Sequence, residues 1–263
     1  MDEDELMTLT TGAGEMSHPL GIGYNAPVYG GINTSMINKY GIPPVSTNDG
    51  PSGIRMSEQG TLLPIGTALA CTWNDRLIEE LYSGLGQEML LNGSDVLLAP
   101  GMNLHRDPLC GRNFEYYSED PLLTGQMGSN VVRGLQNQGV SATPKHYAAN
   151  NQETNRSYND SRVSERALRE IYLKGFEICV KTAKPLNIMT AYNKVNSVWA
   201  HYNYELVQVI LRDQWGFDGC VMTDWWMRPQ ADTDYPANAD NTYRVRSGVD
   251  VLMPGSAGHT GVS

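Results

Sequence analysis

Short runs of apolar residues recur along the whole chain and are separated by longer segments in which apolar positions repeat with helical spacing. Most of the runs are continuously apolar, which is typical of β-strands that are buried on both faces of a sheet. The runs predict strands at residues 44–47, 67–71, 96–99, 142–144, 188–191, 220–223 and 249–253.

Segments between these runs predict amphipathic helices at residues 75–91, 164–183 and 204–214. Asn74 precedes the first segment as a candidate N-cap residue, whereas Pro185 and Gly216 mark the ends of the other two. A strand followed by a helix, repeated several times, indicates a parallel sheet with right-handed crossover connections.

Polar residues follow nearly every predicted strand, and their distribution separates an open sheet from a barrel. They include the pairs Asn48-Asp49, Lys145-His146, Tyr192-Asn193 and Asp224-Trp225. An open sheet concentrates its ligand groups at one switch point, whereas a barrel spreads them over the ends of all its strands. The nucleotide motifs G-x-G-x-x-G and G-x-x-x-x-G-K-[ST] do not occur. We therefore predict an α/β fold, a (β/α)8 TIM-type barrel with one strand irregular, unrecognised or outside this chain.

Charge and hydropathy exclude several classes of function. The 263 residues include 19 basic and 29 acidic side chains, and the net charge of −10 argues against a nucleic-acid-binding surface. No stretch reaches the roughly 18 to 20 uncharged apolar residues that a membrane span needs. The start of the chain, Met1-Asp2-Glu3-Asp4-Glu5, is the reverse of a basic, apolar signal peptide, which predicts a cytoplasmic location.

The cysteines and the end of the chain add two expectations. Cys71, Cys110, Cys179 and Cys220 form no C-x-x-C unit, so we expect reduced thiols and neither a zinc ribbon nor a disulfide framework. No His-x-x-x-His spacing or carboxylate cluster predicts a catalytic metal. The last strand-like run, 249–253, has no helical segment after it, and we expect the chain to be part of a longer protein.

Asp224 is the first candidate for chemistry, because it follows a buried strand-like run and precedes two adjacent tryptophans. Such an aspartate can be a nucleophile, a base or a metal ligand, and it can equally cap a helix in a βα loop. The indoles favour a function, since exposed neighbouring indoles are costly unless they line a pocket, and sugar rings stack on such surfaces. Asp49 gives a weaker local signal, because Asp-Gly-Pro is also an ordinary turn sequence.

Cationic residues supply the other candidates. Arg112 lies in the polar segment 103–121, whose mixture of arginines, carboxylates and aromatic rings favours a function over a solvated loop. Lys145 and His146 follow a predicted strand, where burial beside carboxylates makes both of them donors to substrate hydroxyl groups. A structural salt bridge explains this Lys-His pair equally well.

Together, five motifs in this chain resemble glycoside hydrolase family 3. They follow the order and spacing of that family from about residue 6 to about residue 255. The motifs are Asn48-Asp49-Gly50-Pro51-Ser52-Gly53-Ile54-Arg55, Gly111-Arg112-Asn113-Phe114-Glu115, Pro144-Lys145-His146-Tyr147-Ala148-Ala149-Asn150-Asn151-Gln152-Glu153, Met189-Thr190-Ala191-Tyr192-Asn193 and Val221-Met222-Thr223-Asp224-Trp225.

The resemblance implies the barrel domain of a retaining β-glycosidase of the β-glucosidase type, which acts on β-glucosides or related oligosaccharides without a metal or organic cofactor. Asp224 matches the family's nucleophile, which attacks the anomeric carbon and forms a covalent glycosyl-enzyme. The other matched positions imply contacts with the sugar in the −1 subsite, at Asp49, Arg112, Lys145, His146, Met189, Tyr192 and Trp225.

Retaining chemistry also needs a carboxyl group that protonates the leaving oxygen. In the β-glucosidase branch, the resemblance implies a glutamate from a separate α/β sandwich domain. The β-N-acetylglucosaminidase branch uses an Asp-His pair on a Lys-His-Phe-Pro-Gly-His-Gly loop, but Lys145-His146 is followed here by Tyr147. Neither Glu115 nor Glu153 is assigned as the acid. We therefore expect residues 1–263 to be a single barrel domain of a multidomain enzyme, with the sandwich domain as its partner.

Two other functions stay open at this point. The first is a carbohydrate-binding barrel with little or no hydrolytic activity, which the missing acid favours and the retained Asp224 opposes. The second is an unrelated barrel enzyme that acts on phosphorylated substrates, which the lack of a Gly-rich phosphate loop near the last strands opposes.

Overall fold

The structure is a computed structural model that describes residues 1–12, 28–29, 38–43, 45–55, 60–227 and 242–253. Its strands are β1 Val28–Tyr29, β2 Val45–Asp49, β3 Val96–Leu98, β4 Ser141–Ala142, β5 Asp160–Ser161, β6 Asn187–Met189, β7 Lys194–Val195, β8 Val198–Trp199 and β9 Cys220–Met222. Its α-helices are Glu3–Leu9, Gly66–Ala70, Asp75–Leu91, Pro121–Gln136, Glu165–Ala167, Lys174–Ala183 and Thr242–Ser247. The π-helices are Leu168–Tyr172 and Glu205–Gln214, and the 3-10 helices are Asn113–Glu115 and Ala200–Tyr202.

A parallel wall of strands organises the described residues. In its first half, β2, β3 and β4 are parallel neighbours, and parallel bridges from Gly101 to Lys145 and from Tyr147 to Thr190 lead on to β6. In its second half, β6 pairs with β9, and single parallel bridges add residues 251 and 252 and then Thr11. Apart from Thr11, which precedes β2 in the chain, the strands of the wall follow one another in chain order with helices between them, which is the succession of a (β/α) barrel.

Two pairings lie outside this parallel succession. β1 adds to β2 in the antiparallel direction, with Val28 opposite Ser46. β5, β7 and β8 form a small separate sheet, in which β7 and β8 make an antiparallel hairpin. This small sheet belongs to the loops that follow β4 and β6, at the end of the barrel where the polar residues lie.

The predicted strand at residues 67–71 is wrong, because Gly66–Ala70 is an α-helix. A short apolar run does not distinguish a strand from a buried helical turn, and this run contains alanines, which favour a helix. The Thr67 hydroxyl donates to the carbonyl oxygens of Asn113 and Tyr116 at 3.0 and 3.1 Å. These contacts fix the short helix against the loop that follows β3. In the wall, the described amino-terminal residue Thr11 supplies a strand position that the sequence pattern missed.

The three predicted helices are confirmed, with two changes. Asn74 caps the first helix, since its side chain accepts the Leu77 N–H over 3.1 Å. The second segment contains the π-helix Leu168–Tyr172, and the third is a π-helix throughout. The pattern missed the helix Pro121–Gln136, although Asp120 caps it and Pro121 occupies its first turn. The predicted loop at residues 227–241 lies, apart from Met227, outside the described residues.

The core has two layers that follow the alternation of side chains along the strands. Leu97 and Val221 point outward into a large cluster between the wall and the helices. Their neighbours in sequence point inward, to a smaller cluster made of Val96, Leu98, Met189, Met222, Val251 and Met253. The barrel interior is therefore packed with side chains.

Two glycines on neighbouring helices provide a test of this packing. A Cβ on Gly134 would lie 2.6 Å from the Glu79 carbonyl oxygen and 3.0 Å from Tyr82 Cβ, whereas a Cβ on the exposed Gly84 has nothing within 4 Å. We expect Gly134→Ala to lower the free energy of unfolding by about 1 to 3 kcal/mol. Gly84→Ala should raise it by roughly 0.5 to 1 kcal/mol. Urea unfolding measures both, and equal effects would contradict a close contact between these helices.

Candidate active site

The carboxyl ends of the parallel strands bring together polar side chains that are far apart in sequence. Asp49 ends β2, Lys145 and His146 follow β4, Tyr192 follows β6, and Asp224 follows β9. Direct contacts connect them, from Lys145 to Asp49 and from His146 to Asp224. The predicted candidates therefore form one cluster at the carboxyl-end face of the barrel, where barrel enzymes place their active sites.

Two cations hold Asp49 as an anion. Lys145 Nζ donates to Asp49 Oδ1 over 2.6 Å, and Arg55 Nη1 lies 3.0 Å from Oδ2. Burial raises the pKa of Asp49, but the Lys145 charge and hydrogen bond, followed by the charge of Arg55, lower it more, so the pKa lies below its ordinary value. This ion pair presents a fixed acceptor and a fixed donor, which suits the hydroxyl groups of a neutral ligand.

His146 is fixed on both sides of its backbone by one amide side chain. Asn103 Oδ1 accepts the His146 N–H over 2.9 Å, and Asn103 Nδ2 donates to the His146 carbonyl oxygen over 2.9 Å. The Tyr116 hydroxyl lies 3.3 Å from His146 Nδ1. Burial and then the charge of Arg112 hold the imidazole pKa well below its ordinary value. The ring is therefore neutral, with one nitrogen as donor and the other as acceptor.

The two carboxylate oxygens of Asp224 have different surroundings. Oδ1 accepts the Trp225 N–H over 2.7 Å, while the buried Oδ2 accepts no hydrogen bond from the described residues and lies 3.5 Å from His146 Nε2. Burial raises the pKa of Asp224, and the charge of Lys145, the Trp225 N–H and the charge of Arg112 only partly offset that rise. A buried carboxylate oxygen without a donor is rare, and it is available to attack an electrophilic carbon.

Aromatic side chains lie beside this carboxylate. The Tyr192 hydroxyl donates to the Trp225 carbonyl oxygen, and burial followed by the charge of Asp224 raises the pKa of Tyr192 above its ordinary value, so the phenol keeps its proton. Trp225 is partly buried and packs on the inner cluster. Trp226 is 60% exposed, so only the indole of Trp225 packs against the inner cluster.

Arg112 and Met189 differ in how they relate to the cluster. Arg112 Nε lies 2.5 Å from Glu115 Oε1, and its charge also lowers the pKa values of Asp49 and Asp224, which places it within electrostatic reach of both. Met189 is 1% exposed and packs in the inner cluster among other apolar side chains. Its contact with a substrate stays a prediction.

No sequence signal singled out Tyr116 or Arg156, and Asn103 entered only as the first residue of the polar segment 103–121. Arg156 Nη1 lies 2.8 Å from Glu153 Oε2, and its guanidinium covers the Tyr192 ring at 4.2 Å from the ring centroid. The only signal in the sequence is the spacing of Glu153 and Arg156, three residues apart at the end of a recognised motif. Contact with Tyr192 depends on how two loops meet, and spacing does not show it.

The cluster is made mainly of groups that donate or accept hydrogen bonds. Among the described residues, no three His, Cys, Asp or Glu side chains are grouped so that they could hold a metal ion. No helix in the described ranges is long and apolar enough to cross a bilayer. The side chains of the cluster place such donors and acceptors around the Asp224 carboxylate.

The fold and this cluster define a barrel of the glycoside-hydrolase class. The chain belongs to glycosyl hydrolase family 3, because residues 28–260 match the model described as the Glycosyl hydrolase family 3 N terminal domain. The predicted family and the (β/α)8 TIM-type fold are both confirmed.

Named relatives agree with this assignment. A beta-glucosidase of Ruminococcus albus is 48% identical over 264 residues, covering 99% of this chain and 28% of the relative. An exo-alpha-(1->6)-L-arabinopyranosidase of Bifidobacterium longum is 41% identical, covering 84% of this chain and 30% of the relative. The chain therefore spans about three tenths of the length of these curated relatives.

Solved structures show the same fold. A beta-glucosidase from Paenibacillus barengoltzii superposes with a TM-score of 0.89 at 48% identity, covering 97% of this chain and 28% of that chain. Beta-glucosidase 3B from Thermotoga neapolitana in complex with glucose superposes with a TM-score of 0.88 at 42% identity, covering 98% of this chain and 36% of that chain.

Proposed function

We propose that this chain is the nucleophile-bearing barrel of a retaining β-glycosidase of the β-glucosidase type, which hydrolyses terminal non-reducing β-D-glycosyl residues. The observation that carries the proposal is Asp224, a buried carboxylate whose Oδ2 accepts no hydrogen bond from the described residues and lies among groups suited to sugar hydroxyls. The beta-glucosidase names of several relatives support the same reaction class.

The geometry supports a double displacement. Asp224 Oδ2 attacks the anomeric carbon while the bond to the leaving oxygen breaks, and that oxygen takes a proton from an acid. Water then attacks the same carbon, gives its proton to the conjugate base and releases Asp224. Asp49, Lys145, Arg112 and His146 bind the sugar hydroxyls, and these contacts accelerate the reaction to the extent that they strengthen in the transition state.

The acid and base of this reaction need a second carboxyl group, which we propose lies in another region of the full protein, in an α/β sandwich domain. The two glutamates of the recognised motifs are already engaged, since Glu115 pairs with Arg112 and Glu153 pairs with Arg156. The greater length of the relatives supports a partner region of this kind.

A covalent trap tests the nucleophile. The dinitrophenolate of a dinitrophenyl 2-deoxy-2-fluoro-β-D-glucoside leaves readily, but the fluoroglycosyl group is hydrolysed slowly after its transfer to the enzyme. The glycosyl-enzyme therefore accumulates. We expect peptide mass spectrometry to find one fluoroglycosyl group on Asp224, and none in an Asp224→Asn variant. A label on another residue would overturn the assignment. No label together with measurable sugar binding would favour a carbohydrate-binding barrel instead.

The leaving group tests whether the acid lies outside the chain. We expect the isolated chain to cleave a dinitrophenyl β-glucoside faster than cellobiose, because dinitrophenolate leaves without protonation whereas a sugar alkoxide does not. In the full protein, the difference between the rates on the two substrates should be smaller, because cellobiose cleavage is accelerated. Steady-state rates on both substrates measure this, and equal turnover by the isolated chain would show that it contains its own acid.

A further inference from the structure

The Arg156 side chain makes two contacts, with Glu153 and with Tyr192, although Arg156 lies outside the recognised motifs. Its Nη1 lies 2.8 Å from Glu153 Oε2, and the other oxygen of Glu153 accepts the Asn150 side-chain N–H over 3.0 Å. Its guanidinium carbon lies 4.2 Å from the centroid of the Tyr192 ring. The Arg156 side chain is 34% exposed, so the Glu153 anchor restricts a guanidinium that would otherwise sample several rotamers.

These contacts lead step by step to the attacking carboxylate. Arg156 lies on the Tyr192 ring, the Tyr192 hydroxyl donates to the Trp225 carbonyl oxygen, and the Trp225 N–H donates to Asp224 Oδ1. A cation over a tyrosine ring is attracted by the negative face of the ring. The loop after β4 is thereby connected through the loop after β6 to the end of β9.

We propose that Arg156 is a positioning residue, which orients Tyr192 and through it the Trp225 peptide that fixes Asp224. This inference rests on the proposed function, because it assigns Asp224 the attacking role. Arg156 itself need not touch the substrate. Its effect should appear in the rate of attack by Asp224 more than in the binding of the sugar.

The charge of Arg156 gives the proposal a second readout. The groups that face Asp224 are His146, which is neutral, Tyr192, which is protonated, and the cations Lys145, Arg112 and Arg156. Each of the three cations lowers the pKa of Asp224 against the larger effect of burial. Removal of the Arg156 charge should therefore raise that pKa, and the acid limb of the rate should move to higher pH.

Arg156→Met and Arg156→Lys, made in the full protein, test the inference. With an aryl β-glucoside we expect Arg156→Met to lower kcat about 10-fold with a change in KM below about twofold. The acid limb of its pH–rate profile should move to higher pH. Arg156→Lys should return that limb to the wild-type pH because it keeps a cation. Arg166→Met is the matched control, since Arg166 forms a comparable pair with Glu170 at 3.0 Å but is 84% exposed; its profile should equal that of the wild type.

The outcomes separate this inference from the proposed function. If the fluoroglucoside labels Asp224 in the wild type, and Arg156→Met is labelled at the same rate with the same pH dependence, the positioning role is wrong and the nucleophile assignment stands. A rise in KM with kcat unchanged would also overturn it, because that result means direct contact with the substrate. If the wild type is not labelled at Asp224, the proposed function fails first.

Discussion

Asp224→Asn is expected to lower kcat on an aryl β-glucoside on the order of 10⁴-fold, because an amide oxygen does not form the covalent ester that the reaction requires. Asparagine has the same shape, and its oxygen still accepts the Trp225 N–H that now binds Oδ1. The dissociation constant for glucose, measured by calorimetry, should therefore change only a few-fold. The control is Asp213→Asn, in an exposed aspartate that accepts a hydrogen bond from Gln208, and it should leave kcat unchanged.

The same substitution should make the protein more stable at neutral pH. The folded-state pKa of Asp224 is raised, so folding favours the protonated form, and stability is lost as the pH rises through that folded pKa. The Asp224→Asn substitution removes this buried charge, so the loss of stability at high pH no longer occurs. We expect the melting temperature of Asp224→Asn to exceed that of the wild type at pH 7, and the difference to shrink as Asp224 becomes protonated. A variant that melts lower at pH 7 would contradict a desolvated carboxylate.

The residues of the cluster were predictable where the topology alone brings them together. Asp49, Lys145 and Asp224 each lie at or just after the end of a short predicted strand, and parallel strands in a barrel place their carboxyl ends on one face. Position after a strand therefore carried most of the information. The structure adds the ion pair of Asp49 with Lys145 and the contact of His146 with Asp224, which join different strands.

The sequence-based predictions failed where tertiary contacts matter more than the local pattern. The run at residues 67–71 is a helix, and the Thr67 hydroxyl ties it to a loop more than 40 residues away, at the carbonyl groups of Asn113 and Tyr116. Arg156 escaped notice for a similar reason, since its ring contact with Tyr192 joins the loops after β4 and β6. Neither contact leaves a periodic signal in the sequence.

The opposite pKa shifts of Asp49 and Asp224 show that two aspartates of one site need not behave alike. Asp49 has the cations Lys145 at 2.6 Å and Arg55 at 3.0 Å, whereas Asp224 Oδ2 has the neutral His146 ring at 3.5 Å. Ion pairing therefore decides the direction of the pKa shift at Asp49, and burial decides it at Asp224. The first suits permanent binding of hydroxyl groups, and the second suits attack on carbon.

Asp49→Asn is expected to have the second large effect, because it leaves the Lys145 ammonium buried without its anion. The Lys145 side chain is 4% exposed and that of Asp49 is 34% exposed. Loss of a fully buried partner costs roughly 3 to 5 kcal/mol, and partial solvation of Asp49 reduces this to about 2 to 3 kcal/mol of unfolding free energy. The ratio kcat/KM should fall about 100-fold as the hydroxyl contacts lose their fixed geometry.

Arg55→Gln supplies the matched control, because Arg55 binds the same carboxylate but is 72% exposed. Arg55→Gln should lower the free energy of unfolding by less than about 1 kcal/mol. The pH dependence has the opposite sign to that of Asp224, since the lowered pKa of Asp49 gives stability that is present above its unfolded value and lost as the pH falls through its folded value. Urea unfolding of Asp49→Asn and wild type should therefore converge in acid. A stability difference that stayed constant down to low pH would show that the Lys145 pair is not its source.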